Sequence, residues 1–251
     1  MKAIYSRSIM VAVLALLGFS VPVHASKMDS RIELAAKQSY VFKTYLQGDE
    51  IKIQSSNGAV TLTGVVSENF HKSLAQETVA GLPGVKSVDN RLETKGAPPT
   101  ANSDAWLRDK VKITLMFHRS VSSDTIEVDV KDGNVTLRGD TATLAQKDLM
   151  TEYVKDVIGV NSVNNEMTVA KSSKKTRTVG EKIDDASITA QVKMTLLYHN
   201  SASVLNIKVE TKRGVVSLFG KAKNADELNL VTKLAGNVNG VKSVTNRMAI
   251  E

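Results

Sequence analysis

Hydrophobic and polar residues alternate along three pairs of short segments in the chain. In the middle pair, segments 126–130 and 135–137 carry Ile, Val or Leu at every second position. A period of two is typical of a strand buried on one side, and a Gly-containing pair between two such strands favours a tight hairpin. The turn pairs are Asn57-Gly58, Asp132-Gly133 and Arg213-Gly214. The pattern therefore predicts three β-hairpins.

Segments of helical period flank each hairpin. The positions before the second and third hairpins are Leu107, Val111, Leu115 and Ile188, Val192, Leu196. The positions after them are Leu149, Tyr153, Val154, Val157 and Leu230, Leu234, Ala235, Val238. Spacings of three and four are those of an amphipathic helix. With one more strand at the end, the order is α-β-β-α-β.

Two phrases recur at a fixed separation. The first is GAVTLTG at 58–64, GNVTLRG at 133–139 and GVVSLFG at 214–220. The second is GVKSVDN at 84–90, GVNSVNN at 159–165 and GVKSVTN at 240–246. The last glycine of the first phrase always lies 20 residues before the glycine that opens the second. Repeats of 75 and 81 residues exceed solenoid periods, so each copy is expected to be a small domain that closes its own core.

The predicted fold is therefore α+β, with three tandem domains at residues 30–94, 103–169 and 185–250. Each has a three-stranded mixed sheet packed against two helices. The segment 95–102 contains Pro98-Pro99 and is expected to be a semi-extended linker. The segment 170–184 contains SSKKTRT and is expected to be a flexible basic linker.

The recurring glycines and asparagines favour a structural role over ligand binding. Each asparagine shares a strand face with apolar residues, and a half-buried amide needs hydrogen-bond partners, so we expect it to tie the last strand to a helix end or loop. The last glycine of the first phrase continues an inward face, where we expect a helix to come close. The positions concerned are Gly64, Gly84, Asn90, Gly139, Gly159, Asn165, Gly220, Gly240 and Asn246.

On these motifs, the chain resembles the BON domain family. The resemblance covers nearly all of the chain after residue 30, with three copies where the more familiar members have two. It implies a non-enzymatic periplasmic protein associated with phospholipid membranes and envelope or osmotic stress.

Residues 1–25 have the pattern of a cleavable secretory signal peptide. Lys2 and Arg7 precede an apolar run from Ile9 to Phe19, and Val23-His24-Ala25 offers a small residue before cleavage. The run is too short to span a bilayer. The chain contains no cysteine, which excludes disulfides and a cysteine-linked lipid anchor. We therefore expect a periplasmic location without a transmembrane helix.

Charge is uneven along the chain. Residues 103–169 contain eight basic and eleven acidic residues, whereas residues 185–250 contain nine and four. A cluster of cations suits anionic lipid headgroups, and a tryptophan suits the lipid interface. The predicted lipid-binding residues are Trp106, Lys171, Lys174, Lys175, Arg177, Lys208, Lys212, Arg213, Lys221 and Lys223. The alternatives are a solvated basic face, docking on the acidic second copy, and packing of Trp106 at a seam between copies.

The sequence offers no arrangement for catalysis, a metal or a cofactor. The four histidines include no pair at i and i+4 that could bind zinc. His118 and His199 fall at helix ends, where the helix dipole favours a cation, so we expect them to cap helices rather than to catalyse. Aromatic residues make up 4% of the chain, too few for nucleic-acid stacking platforms. We expect a non-enzymatic envelope-stress protein that contacts phospholipid weakly. The alternative is a periplasmic chaperone that binds exported or outer-membrane proteins on apolar surface shared between copies.

Overall fold

The computed structural model describes residues 27–96, 98–121, 126–169, 182–199 and 207–251. It contains three α/β modules with separate sheets, which confirms the predicted fold class. Module one consists of α1 Lys27–Gln38, α2 Tyr40–Thr44, β1 Glu50–Ser56, β2 Ala59–Val66, α3 Asn69–Ala80 and β3 Ser87–Thr94. Module two consists of α4 Asp104–Phe117, β4 Ile126–Lys131, β5 Asn134–Thr141, α5 Leu144–Lys155, β6 Ser162–Asn165 and β7 Thr168–Val169. Module three consists of α6 Asp185–Tyr198, β8 Lys208–Lys212, β9 Val215–Phe219, β10 Lys221–Ala222, α7 Ala225–Gly236, β11 Ser243–Asn246 and β12 Ala249–Ile250.

Each sheet places the second hairpin strand at its centre. In module one the order is β1-β2-β3, with β1 antiparallel and β3 parallel to β2. Module two repeats this arrangement with its last strand divided into β6 and β7. In module three the central strand is divided as well, so β8, β9 and β11 form the main sheet and β10 and β12 form a separate parallel pair. The helices pack on one face of each sheet, so the opposite face is open.

All three hairpins turn as their sequences predict. Both central residues of each turn have positive φ, between 51° and 84°. This is the type I′ conformation, and even Arg213 adopts it at φ 53°. The Arg213-Gly214 pair, a weaker match by sequence, folds like the other two.

The glycine that ends the first recurring phrase serves a different purpose from the one we expected. At Gly64 the missing side chain makes room for the adjacent strand β1, because an added Cβ would lie 1.8 Å from the carbonyl oxygen of Glu50. Its φ is 125°, and Gly139 and Gly220 adopt 122° and 138°. The close approach to a helix occurs instead at the glycine that opens the second phrase. At Gly240 an added Cβ would lie 3.1 Å from Ile188 of α6.

The modules do not each close a core alone. Module one's core includes Ile113 and Phe117 from α4, and Ala186, Ala190 and Met194 from α6. Helix α6 also supplies Ile188, Val192 and Leu196 to the core of module three. A helix buried on most sides is apolar around most of its circumference, and α6 fits that description. The expectation of self-contained cores is therefore wrong for module one.

Polar contacts reinforce this seam between modules. The Val41 N–H donates to Ser187 Oγ at 3.1 Å, and the Tyr40 N–H donates to Asp184 Oδ2 at 2.8 Å. On the flank of the seam, Lys193 of α6 pairs with Glu77 of α3 at 2.7 Å. Asp184, which the sequence assigned to a flexible linker, caps α6 and binds module one.

Candidate functional site

The open face of the third sheet carries two of the predicted basic residues, Lys208 and Lys212. Strand β8 turns Val209 toward the core and leaves Lys208 and Lys212 exposed. Strand β9 likewise buries Val216 and Leu218, which leaves Phe219 half-buried on the open side. Alternation along a strand sends neighbouring residues to opposite faces, so Lys208, Lys212 and Phe219 share one surface.

Phe219 lies between two cations on this face. Lys208 is its direct partner across the antiparallel pair, and the Lys208 ammonium lies 5.8 Å from the ring centroid. On the other side, the Arg247 guanidinium carbon is also 5.8 Å from that centroid. Both distances are within the range of cation–π attraction. We call Lys208, Phe219 and Arg247 the aromatic–basic triplet.

The equivalent positions in the other modules have different chemistry. In module two they are Glu127, Arg138 and Glu166, by strand register and by a matching backbone hydrogen bond. Arg138 pairs there with Glu166 at 2.9 Å and also with Asp129. In module one they are Lys52, Thr63 and Arg91. Within the described sheets, an aromatic ring between two cations occurs in module three alone.

The other described cations of the predicted patch lie in the hairpin turn and on or just after β10. Arg213 lies in the hairpin turn and Lys223 follows β10, both exposed. Lys221 on β10 lies 3.6 Å from Glu251, and Lys208 lies 2.7 Å from Glu210. Exposed pairs of this kind contribute about 0–1 kcal/mol, so they leave the ammonium groups free to exchange partners.

The structure does not gather all the predicted lipid-binding residues together. Lys171, Lys174, Lys175 and Arg177 lie outside the described residues, as does the predicted signal peptide. Trp106 belongs to module two, where its ring covers the buried Lys110 ammonium at 4.5 Å. Burial lowers the pKa of Lys110 to about 8, and its ammonium donates to the Ile158 carbonyl at 3.2 Å. Trp106 therefore covers a lysine of its own helix.

The three recurring asparagines connect the last strand to the second helix. Each donates from Nδ2 to a helix carbonyl and accepts the N–H two residues later at Oδ1. In module two, Asn165 donates to the Lys147 carbonyl at 2.9 Å and to Thr151 Oγ1 at 2.8 Å. These bonds supply the partners that the half-buried amide needs. They lie within each module, and the asparagines do not line a shared cleft.

Sequence reasoning missed a second recurring contact. An aspartate at the start of each module's first helix accepts both amide N–H groups of the hairpin turn. The aspartates are Asp29, Asp104 and Asp185, with N···O distances between 2.7 and 3.1 Å. The signal was present in the chain, because each aspartate lies 29 residues before the turn glycine.

The histidines at the helix ends are neutral rather than cationic. Burial, and next the charge of Arg119, lower the pKa of His118 to about 4. Burial, and next the charge of Lys110, also lower the pKa of His199. The helix dipole favours the cation, but burial between modules two and three outweighs it.

A Ser–His–Asp grouping near the start of α3 does not form a nucleophilic triad. Asp49 Oδ2 lies 2.6 Å from His71 Nδ1, and Ser67 Oγ lies 3.4 Å from that same nitrogen. A triad needs the serine and the aspartate on opposite ring nitrogens. Among the described residues, no group of three or more acidic, histidine or cysteine side chains is placed to hold a metal.

In the part of the chain that the structure describes, no helix has both the length and the apolar character needed to cross a bilayer.

Comparison with known proteins identifies the repeated module. The model of the BON domain matches residues 28–96, 103–171 and 184–251. The chain is 29% identical over 196 residues to "Osmotically-inducible protein Y" of Escherichia coli, covering 78% of this chain and 95% of that one. It is 30% identical over 113 residues to "Outer membrane lipoprotein DolP" of Haemophilus influenzae, covering 45% and 56%. A solved structure of CdsD from Chlamydia trachomatis covers 88% of this chain at 17% identity, with a TM-score of only 0.24. The three matches with the BON model span most of the sequence, and the chain belongs to the BON domain family.

Proposed function

We propose that this protein is a periplasmic envelope-stress protein that binds anionic phospholipid surfaces through the open face of its third sheet. The observation that carries the proposal is the aromatic–basic triplet of Lys208, Phe219 and Arg247. An aromatic ring flanked by cations can enter the headgroup region while the cations contact lipid phosphates. The contact is expected to be weak and reversible, and to leave the modules folded.

The charge around the triplet supports an anionic partner. Lys212, Arg213 and Lys223 extend the positive surface around the hairpin and the sheet edge. Each basic residue near such a membrane contributes about 1 kcal/mol, and the attraction falls off within a Debye length of roughly 8 Å. The exposed Val215, on the same face of β9 as Phe219, adds apolar area. Binding should therefore depend on both salt and Phe219.

The relatives are consistent with this setting. One is named for osmotic induction and another as an outer membrane lipoprotein. A non-enzymatic role agrees with their names and with the Ser67–His71–Asp49 geometry, in which no serine is activated.

Vesicle flotation tests the proposal. The variant carries Lys208→Glu, Lys212→Glu and Lys223→Glu. Its matched control carries Lys86→Glu, Lys131→Glu and Lys155→Glu, which reverse three exposed lysines on modules one and two. We expect the full chain and the control to float with vesicles containing phosphatidylglycerol at low salt, and the variant to stay unbound. Equal flotation of variant and control, or no flotation of the full chain, would refute the proposed surface.

The chaperone alternative has less support. It requires extensive exposed apolar surface shared between copies, whereas at the seam with module one Phe117 and Met194 are 1% and 0% exposed. Suppression of client aggregation in lipid-free buffer would favour it over lipid binding.

A further inference from the structure

A cleft of about 280 Å³ opens between modules two and three. The α5 side contributes Tyr153 and Val157, and the α7 side contributes Leu230 and Leu234. His118 and Thr195, from the ends of α4 and α6, also line it. The lining is mainly apolar, with a few polar groups, which is the usual composition of a small-molecule site.

Backbone hydrogen bonds fix the two walls of this cleft. The Arg119 N–H donates to the Asn237 carbonyl at 2.9 Å, and the Asn239 N–H donates to the Phe117 carbonyl at 2.8 Å. Between them, His118 and Val238 form an antiparallel bridge. The Arg119 guanidinium also donates to the Val241 carbonyl at 2.7 Å. The end of α4 and the segment after α7 are therefore held together, and the cleft is preformed.

His118 presents a buried donor without a partner. The residue is 8% exposed, and its ring packs against Tyr153 with centroids 3.9 Å apart and an angle of 35° between the ring planes. Nδ1 accepts the Ser120 N–H at 3.2 Å, so the proton of the neutral imidazole resides on Nε2. Among the described residues, Nε2 has no hydrogen-bond partner. A buried donor of this kind destabilises the folded protein unless something accepts from it.

Thr195 adds a second unmet polar atom to the same cleft. Its Oγ1 is buried and has no partner within the described residues. A hydroxyl can also donate, so each of the two groups can donate to a lone pair of a ligand oxygen. Lys233 and Asp156 lie at the exposed rim and nearly balance in charge.

We propose that this cleft binds a short aliphatic chain headed by a carbonyl oxygen, either a free carboxylate or an ester. The oxygen would accept from His118 Nε2–H and from the Thr195 hydroxyl, and the chain would pack against Val157, Leu230 and Leu234. The volume suits a ligand of roughly ten non-hydrogen atoms, on the scale of about 30 Å³ per water. The site is separate from the third module's open sheet face and does not depend on membrane binding.

Calorimetric titration of the full chain tests this site with three probes that share an eight-carbon chain. Octanoate carries a carboxylate, methyl octanoate carries an ester, and octylammonium carries the same chain with donors only. We expect saturable 1:1 binding of octanoate, methyl octanoate or both, and at least tenfold weaker binding of octylammonium. Binding of octanoate alone would show that the charge is recognised, and binding of both would show that the carbonyl suffices.

Two variants locate the binding. His118→Phe keeps the ring that stacks on Tyr153 and removes the donor, so the affinity should fall about tenfold. Leu230→Trp, at a residue 38% exposed, should fill the cleft and abolish binding, while Leu144→Trp at a residue 63% exposed should not. If His118→Phe fails to fold, the Leu230→Trp and Leu144→Trp pair decides. No binding of either carbonyl probe at millimolar concentration would overturn the proposal, as would binding unchanged in Leu230→Trp or octylammonium binding as well as the carbonyl probes.

Discussion

The carboxylate of Asp104 accepts the backbone N–H of Gly133 at 3.0 Å, which holds the first helix of module two against its hairpin turn. Its other oxygen accepts the Asp132 N–H at 2.8 Å. The same pair of bonds occurs in modules one and three. The type I′ turns place both amides on one side, where a single carboxylate can satisfy them.

Replacing this carboxylate should destabilise the protein. Asp185→Ala leaves the amides of Arg213 and Gly214 without their acceptor, so we expect the free energy of unfolding to fall by about 1–3 kcal/mol. Urea unfolding followed by circular dichroism measures the change. Asp226→Ala is the matched control, since Asp226 lies exposed in the first turn of α7. An equal loss in both variants would contradict the role of the turn contact.

The shared core predicts that the modules unfold together. Ala190 of α6 is fully buried in the core of module one, so Ala190→Phe should overpack it and cost about 1–3 kcal/mol. Hydrogen exchange should show lost protection in β2, although the substitution lies in another module. Ala225→Phe, at an exposed position of α7, should leave β2 unchanged. Loss of protection confined to module three would show that the cores are independent.

Acid should destabilise the seam between modules two and three. His118 has its pKa lowered from 6.5 to about 4, so between these values the unfolded chain binds more protons than the folded one. The free energy of unfolding therefore falls as the pH falls from 6.5 toward 4. Positive charge on Arg119 opposes the His118 cation, while Asp156 lies across the same cleft.

Thermal unfolding measured between about pH 7 and pH 5 tests this contribution. Carboxylates titrate in both proteins, so the comparison with His118→Phe isolates the imidazole. We expect the melting temperature of the variant to fall less steeply with acid than that of the unmodified chain. Parallel curves would mean that His118 is not the group responsible.

Membrane binding should be transferable between modules. Phe219→Ala removes the ring and should weaken vesicle binding by about tenfold or more, because burial of an aromatic side chain contributes about 1.5–3 kcal/mol. Module one already has Lys52 and Arg91 beside Thr63. Adding Thr63→Phe to the Phe219→Ala variant should therefore restore part of the binding in flotation. Adding Thr136→Phe, in the acidic module two, should restore none.

Much of the fold follows from local signals in the chain. The alternation around Asp132-Gly133 and the spacing of the recurring glycines predict the strands, turns and module order, because these depend on short-range backbone preferences. The helix faces were less well predicted. Leu230 and Leu234 have core spacing, but both line the cleft between modules, and only Leu234 also packs partly against the core, in which Val231 is fully buried. The apolar face of α7 is wide enough to contact both its own core and the cleft beside module two, and residue spacing alone does not show which side chains meet which.

The candidate site was predicted only in part. The charge imbalance indicated Lys208 and Lys212, but Arg247 lies between β11 and β12, more than 30 residues from both in sequence. Its position beside Phe219 depends on the parallel pairing of β11 with β9, which is a long-range contact. The His118–Thr195 cleft has the same origin. It forms where α4, α6 and α7 meet, so no single module's sequence contains it.

Insertion of the triplet's central ring into lipid tests the central claim most directly. In a Trp106→Phe background, Phe219→Trp places a lone fluorophore on the third sheet, and Arg138→Trp places one at the equivalent position of module two. Vesicles of phosphatidylglycerol with brominated acyl chains should quench and blue-shift the emission of Trp at position 219 and leave that at position 138 unchanged. Equal quenching at the two positions, or none at position 219 while the protein is bound, would contradict the account.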